Sequence, residues 1–213
     1  MLTWPHEGTD WADRLQSVYP VFAEIAAAIA ARETLLSVCC SHEHLTTVRA
    51  FLDHQGARTD NLVFGIARSD DSWARDYAPL TTLLDGKPLL NDFRFNGWGG
   101  KFESKRDSAL PKKLHTRKVF RDTPMQMFEL VLEGGAIETD GAGTLLATRS
   151  SVTAASRNPG LTERALESQL QGCLGLERFL WLDRGGIDGD DTDGHIDTLA
   201  RFADPATILH ATA

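Results

Sequence analysis

Leu80-Thr-Thr-Leu-Leu-Asp-Gly-Lys-Pro-Leu-Leu-Asn-Asp92 is the stretch that decides the fold. Two short apolar runs, residues 80–84 and 87–92, flank Asp85-Gly86, a dipeptide suited to the left-handed backbone of a tight hairpin turn. A further apolar run at 128–132 reads as a strand. About 55 residues after the first turn the pattern returns, because residues 136–139 and 144–148 flank Asp140-Gly141-Ala142-Gly143. A helix at 162–171 and a strand at 178–182 follow. Hairpin, helix and strand, then a hairpin again, spell β-β-α-β units. Units of this kind cannot cover their own apolar faces and must pack around a common axis. A further strand is predicted from about His195 to Phe202, with residues 207–210 after it.

Upstream of residue 78 the pattern differs. Residues 21–33 carry Phe22, Ile25, Ala26 and Ile29 at helical spacing, with Pro20 suited to a first helical turn. Residues 35–40 and 62–66 read as short buried strands, and 43–54 as a second helix with Leu45, Val48, Phe51 and Leu52 on one face. The class is α/β. The whole of 1–213 reads as a single domain with no linker. It stops directly after an apolar strand, and an open sheet edge there would be a liability. The expectation is an N-terminal part of a longer protein.

Composition narrows the partners. Thirty acidic against 22 basic residues give a net charge of −8. Nucleic-acid binding needs clustered Lys and Arg, and the one dense basic stretch, 101–121, also carries acids, so no nucleic-acid partner is expected. An acidic protein suits a cationic small ligand better. The longest purely apolar run, 25–31, is far short of the ~20 residues that cross a bilayer, so no membrane partner is expected. With no export pattern and only three cysteines, two of them adjacent, the cytoplasm is the expected compartment. A homo-oligomer is compatible with everything above.

Several short stretches could carry chemistry. Trp73-Ala-Arg-Asp76 sets an aromatic face near a carboxylate, which reads either as a cation clamp or as a surface ion pair beside a core Trp. Glu133-Gly134-Gly135 ends an apolar strand, as a turn with an exposed acid or as a close backbone approach to a ligand. The run from Asp188 to Asp197 is costly unless its acids face a cation or solvent. A calcium loop fails here, because aligning Gly194 with the loop glycine puts Gly189 and Ala200 where carboxylates are required. His195 and Asp197, on a strand, would share one face, which suits acid–base work by His beside a binding carboxylate, an iron site completed by His210, or a structural histidine. His42 and His44 read either as the paired histidines of a metal hydrolase or as polar residues beside Ser41 at a helix start, where such residues are common. Cys39, Cys40 and Cys173 have no neighbouring base and read as structural.

Taken together, Trp73–Asp76, Phe95-Asn-Gly-Trp-Gly-Gly-Lys101, Leu132-Glu-Gly-Gly-Ala-Ile137 and Asp191-Thr-Asp-Gly-His-Ile-Asp197 resemble, in order, the motifs of the agmatine deiminase and bacterial-type peptidylarginine deiminase family. Thr3-Trp4-Pro5-His6 with Asp10-Trp11 is similar to that family's start, so the likeness covers essentially the whole chain. The resemblance implies a pentein-type α/β propeller of five β-β-α-β units, about three of them in this chain. It implies hydrolysis of agmatine to N-carbamoylputrescine and ammonia, with peptidylarginine as the other substrate and a non-catalytic guanidinium-binding protein as a further reading. It implies no metal and no cofactor. Asp76 and Asp197 would hold the guanidinium, His195 would shuttle protons, and Glu133 would be an active-site acid. Trp73 would line the pocket, and Asp191 would lie near the substrate's far end. The family's nucleophilic cysteine, which follows a Gly-rich segment, has no match among the three cysteines. The acids Asp188, Asp190, Asp191 and Asp193 are expected either to attract the substrate's ammonium or to be solvated.

Overall fold

A computed structural model describes residues 1–212 of the chain. They divide into two compact units, 1–74 with 104–122 and 75–103 with 123–213, so the chain leaves the first unit and returns to it.

The first unit is built on three parallel strands, β1 (Leu2–Thr3), β2 (Leu35–Cys39) and β3 (Leu62–Ile66), in the order β1-β2-β3. Helices α1 (Leu15–Ala30) and α2 (His42–His54) are the crossovers that parallel pairing requires. Ser41 caps α2 by accepting the His44 N–H at 3.0 Å, so the Ser-His-Glu-His stretch is a helix start. Trp4, Tyr19, Val48 and Leu52 pack into one core. Helix α1 begins six residues earlier than the sequence spacing predicts, which places Pro20 inside it. Proline there forfeits one backbone hydrogen bond, and the extra turn brings in Leu15 and Tyr19, which pack in the Trp4 core. A further helix, α3 (Lys105–Thr116), lies in the stretch read from sequence only as basic. Its Leu110 and Leu114, four apart, are fully buried.

The second unit contains the repeats. Strands β4 (Leu80–Leu84) and β5 (Lys87–Arg94) form the antiparallel hairpin, with Leu84 opposite Lys87, and β6 (Met125–Val131) pairs parallel to β5. The second repeat has the same plan. Strands β7 (Ile137–Thr139) and β8 (Thr144–Thr148) form the hairpin, α4 (Glu163–Leu174) crosses over, and β9 (Arg178–Leu182) runs parallel to β8. Leu145, Leu166 and Leu170 fill its core. The third hairpin is β10 (Ala200–Asp204) with β11 (Thr207–His210).

His195 is not on a strand. Residues Ile196–Thr198 form a single 3-10 turn, and β10 starts only at Ala200. The reason lies just upstream. The Asp190 carboxylate accepts the N–H groups of Thr192 and Gly194, at 2.9 and 2.7 Å, and Thr192 Oγ1 accepts the His195 N–H. Side chains have taken the backbone donors that a strand ladder would need. Among the described residues, no helix is long and apolar enough to cross a membrane.

Candidate active site

Gly135 is where the site is assembled. A Cβ built on it would lie 2.7 Å from Asp76 Oδ1, from Asp197 Oδ2 and from His195 Nδ1. Three reactive groups from distant parts of the chain therefore close on one bare backbone position. Gly134 is equally constrained, since its Cβ would come within 2.1 Å of the Arg75 carbonyl oxygen. The Glu-Gly-Gly stretch is thus a close approach of backbone to side chains, and its Glu133 is buried at 1% exposure rather than an exposed acid in a turn.

Asp76 sits on the single helical turn Ala74–Tyr77 and is buried. Its Oδ1 accepts the Gly135 N–H at 2.8 Å, and its Oδ2 accepts the indole N–H of Trp98 at 3.0 Å. Burial raises the Asp76 carboxyl above the usual aspartate range, although the neighbouring His195 and the Gly135 N–H pull the other way. His195 is enclosed between two carboxylates, with Nδ1 3.5 Å from Asp76 Oδ1 and Nε2 3.3 Å from Glu133 Oε2. With one ring nitrogen on each acid, the imidazole can gain or lose a proton without moving. Asp197 is less enclosed, and Arg75 Nε lies 3.7 Å from its Oδ2. The strand expected from sequence would have put His195 and Asp197 on one face. The 3-10 turn brings them together by another route, around Gly135.

Trp98 reaches Asp76 from an unusual backbone. Gly97, Trp98, Gly99 and Gly100 all have positive φ, from 54° at Trp98 to 85° at Gly100, which makes a short left-handed turn. Only glycine adopts that conformation freely, and for a tryptophan it costs on the order of 1–3 kcal/mol. What offsets the cost is visible around the ring. The indole donates to Asp76 and packs edge-on against Phe95 and Phe102, at 5.1 and 5.5 Å, and Asn96 Oδ1 accepts the Gly99 N–H. A strained aromatic aimed at a buried carboxylate marks this segment as part of the site.

Arg157 was not singled out by sequence reasoning. Its guanidinium is almost fully buried, and its Nε donates to both Glu133 oxygens at 3.1 and 3.2 Å. Nη1 pairs with Asp193, and Nη2 donates to the Thr192 carbonyl at 2.9 Å. A lone Arg in an Ala-Ser-Arg-Asn-Pro stretch gives no sequence signal for this.

Two expectations about the acidic run are corrected. Asp190 is spent on the turn before His195, and Asp193 is spent on Lys101 and Arg157, so neither is merely solvated or available to a ligand's ammonium. Burial opposes ionisation of both, yet their hydrogen-bond donors and the neighbouring cations outweigh it and hold both carboxyls below the usual range. Asp191 has an exposed side chain, and its carbonyl accepts Lys101 Nζ at 2.7 Å. Trp73 belongs to the first unit, where its half-exposed ring leans on Trp11 at 6.1 Å. Burial pushes the Cys39 thiol up to about 12 and the Cys173 thiol up to about 11, so neither is a thiolate near neutral pH. His210 is exposed, and among the described residues no group of three His, Cys, Asp or Glu side chains could hold a metal ion.

The hairpin–helix–strand repeats and the glycine-centred cluster define a pentein-type α/β fold, of which this chain carries a part. The chain belongs to the Porphyromonas-type peptidyl-arginine deiminase family, whose model matches residues 1–213. Relatives include the agmatine deiminases of Stutzerimonas stutzeri (strain A1501) and Pseudomonas aeruginosa (strain LESB58), each 33% identical over 99% of this chain. Among solved structures, a Cys-to-Ser variant of C. jejuni agmatine deiminase with substrate bound superposes with a TM-score of 0.88. It is 31% identical, with 99% of this chain and 60% of that one covered. The agmatine deiminase of Enterococcus faecalis gives 0.86 at 28% identity, covering all of this chain and 57% of that one. The chain spans 56% of the length of the two curated relatives.

Proposed function

We propose that the full-length protein is an agmatine deiminase of the cytoplasm, converting agmatine and water to N-carbamoylputrescine and ammonia on the way to putrescine. The observation that carries this reading is Asp76, a buried carboxylate whose two hydrogen bonds come from neutral donors, with Asp197 and His195 beside it. A buried carboxylate held by neutral donors lacks a full counter-charge, and a guanidinium supplies one with planar, paired donors at any working pH.

In this mechanism Asp76 and Asp197 bind and orient the guanidinium. A cysteine thiolate from outside these 213 residues attacks the guanidinium carbon, forming a C–S bond. The C–N bond then breaks as His195 gives its proton to the leaving ammonia, which leaves a thiouronium. Water attacks that carbon as His195 takes its proton, and the C–S bond breaks to restore the thiolate. The raised thiols of Cys39 and Cys173 support an external nucleophile, as does the greater length of the relatives. The 213-residue chain alone therefore binds guanidinium compounds without turning them over.

The family's description favours one other substrate, peptidylarginine. Ammonia release by the full-length protein, with agmatine and a blocked arginine ester compared at equal concentrations, decides between them. The expected result is a higher kcat/KM for agmatine. Equal values would promote peptidylarginine, and no release from either would overturn the deiminase reading.

A further inference from the structure

Around His195 the polar contacts close into a ring. Trp98 donates to Asp76, Asp76 faces His195, and His195 faces Glu133. Glu133 binds Arg157, Arg157 binds Asp193, and Asp193 Oδ1 accepts Lys101 Nζ at 2.7 Å. Lys101 lies three residues from Trp98, directly after the left-handed turn and itself in right-handed backbone, which completes the circuit. Asp193, like Trp98, has a left-handed backbone, with φ of 66°. Two strained residues thus stand at the two ends of the lysine latch, and strain of this kind persists only where the surroundings over-determine it.

Arg157 is the centre of this ring and touches neither Asp76 nor Asp197. It faces two carboxylates with one charge, and Lys101 supplies the second cation to Asp193. Besides a long contact to Ser156 Oγ, its guanidinium reaches Glu133, Asp193 and the Thr192 carbonyl. Thr192 in turn accepts the His195 N–H through Oγ1, at 3.0 Å. One buried fork therefore fixes both the acid on His195 Nε2 and the loop from which His195 emerges. A lysine could not do this, because a point charge has no rigid fork with which to span three acceptors.

We propose that Arg157 is a positioning residue for His195: it holds the Glu133 side chain against Nε2 and locks residues 192–193, so that the imidazole is held ready for proton transfer. This rests on the deiminase reading for its kinetic consequence, but not for its structural content. Misplacing an acid–base group by about 1 Å costs about 10²-fold in rate. Arg157→Gln in the full-length protein is therefore expected to lower kcat about 10²-fold and change KM for agmatine by less than about threefold, since the guanidinium clamp is untouched. Its pH–rate profile is expected to differ from that of wild type, because the acid facing Nε2 and the loop carrying His195 are no longer held in place. Arg157→Lys recovers part of kcat by restoring the charge.

Lys101→Met, at the half-exposed end of the ring, serves if Arg157→Gln does not fold, and a smaller fall in kcat at unchanged Tm is expected. A folded Arg157→Gln with wild-type kcat and pH profile would overturn the proposal. If Arg157→Gln does not fold, Lys101→Met at wild-type kcat would do so. Should the wild-type protein hydrolyse neither agmatine nor an arginine ester, the deiminase reading fails, and the positioning role is then judged by NMR titration of the His195 ring. A midpoint that differs between wild type and Arg157→Gln, or Lys101→Met in its place, supports the role, and an unchanged one overturns it.

Discussion

Two buried aspartates, one in each unit, look alike until their neighbours are compared. Asp107 in α3 accepts the N–H groups of Asp70 and Asp71, at 2.7 and 3.1 Å, and is 2% exposed. Burial pushes its carboxyl up to about 7. The backbone donors pull it down, and the Asp70 and Asp71 carboxylates push it up further. Asp76 is also raised by burial and also accepts a backbone N–H, but its nearest titratable partner is His195. Asp70 is already occupied by the Arg106 N–H and guanidinium, and Asp71 Oδ1 by the Ser72 N–H. Asp107 therefore ends a closed local structure and ties a loop to a helix. Asp76 faces a histidine, a second carboxylate and a bare glycine. Burial and a raised carboxyl are common to both, so they do not identify a site. What separates the two is the company each keeps: Asp107 meets backbone N–H groups and other carboxylates, whereas Asp76 meets a histidine and a second carboxylate around a bare glycine.

The comparison is broken most severely at Gly135. Gly135→Ala puts a methyl group within 2.7 Å of Asp76, Asp197 and His195. In the full-length protein it is expected to cut kcat/KM for agmatine by about 10³-fold, because all three groups must shift from reacting geometry. A value within tenfold of wild type would mean that the cradle does not set the geometry.

Asp191 sharpens the second-unit side of the comparison. With Asp190 and Asp193 engaged internally, Asp191 remains an exposed acid that a substrate ammonium can approach. Asp191→Asn is expected to erode the preference for agmatine over a blocked arginine ester by about three- to tenfold, the scale of one partly exposed charge pair. An unaltered ratio of the two kcat/KM values would remove Asp191 from substrate selection.

The smallest effect on activity is expected at Asp107, where the change concerns stability. Its carboxyl is raised in the folded state, so the fold binds a proton that the unfolded chain releases. The stabilisation is fully present below about pH 4 and is lost as pH rises through about 7. Asp107→Asn stays uncharged throughout. The Tm of wild type relative to Asp107→Asn should therefore fall by about 5–10 °C between pH 5 and pH 8. Parallel Tm curves over that range would show that Asp107 does not titrate there.

Much of this was legible in the sequence because its signals are local. Asp85-Gly86 fixed the first hairpin and its register, and the second repeat shared the same spacing. Asp76, Glu133, His195 and Asp197 lay in short motifs that resemble those of the deiminase family, and it was this ordered resemblance, more than any one motif, that singled them out. The rest depended on packing across long separations. Helix α3 carries Lys105, Arg106, Lys112 and Lys113 on its outside, so two buried leucines gave too weak a pattern. The strand expected at His195 failed because Asp190 and Thr192 capture its backbone donors, a competition that strand propensity does not register. Arg157 meets Glu133 24 residues away in sequence and Asp193 36 residues away, and nothing local marks that convergence.

The central claim is that the charge left unbalanced at Asp76 is what binds the guanidinium. Its most direct test is kcat/KM for agmatine in full-length Asp76→Asn set beside full-length Asp107→Asn. The account expects Asp76→Asn to lose about 10²–10³-fold, as for truncating one partner of a buried charge pair, while Asp107→Asn stays within about twofold of wild type. Equal losses in the two variants, or near-normal efficiency in Asp76→Asn, would contradict it.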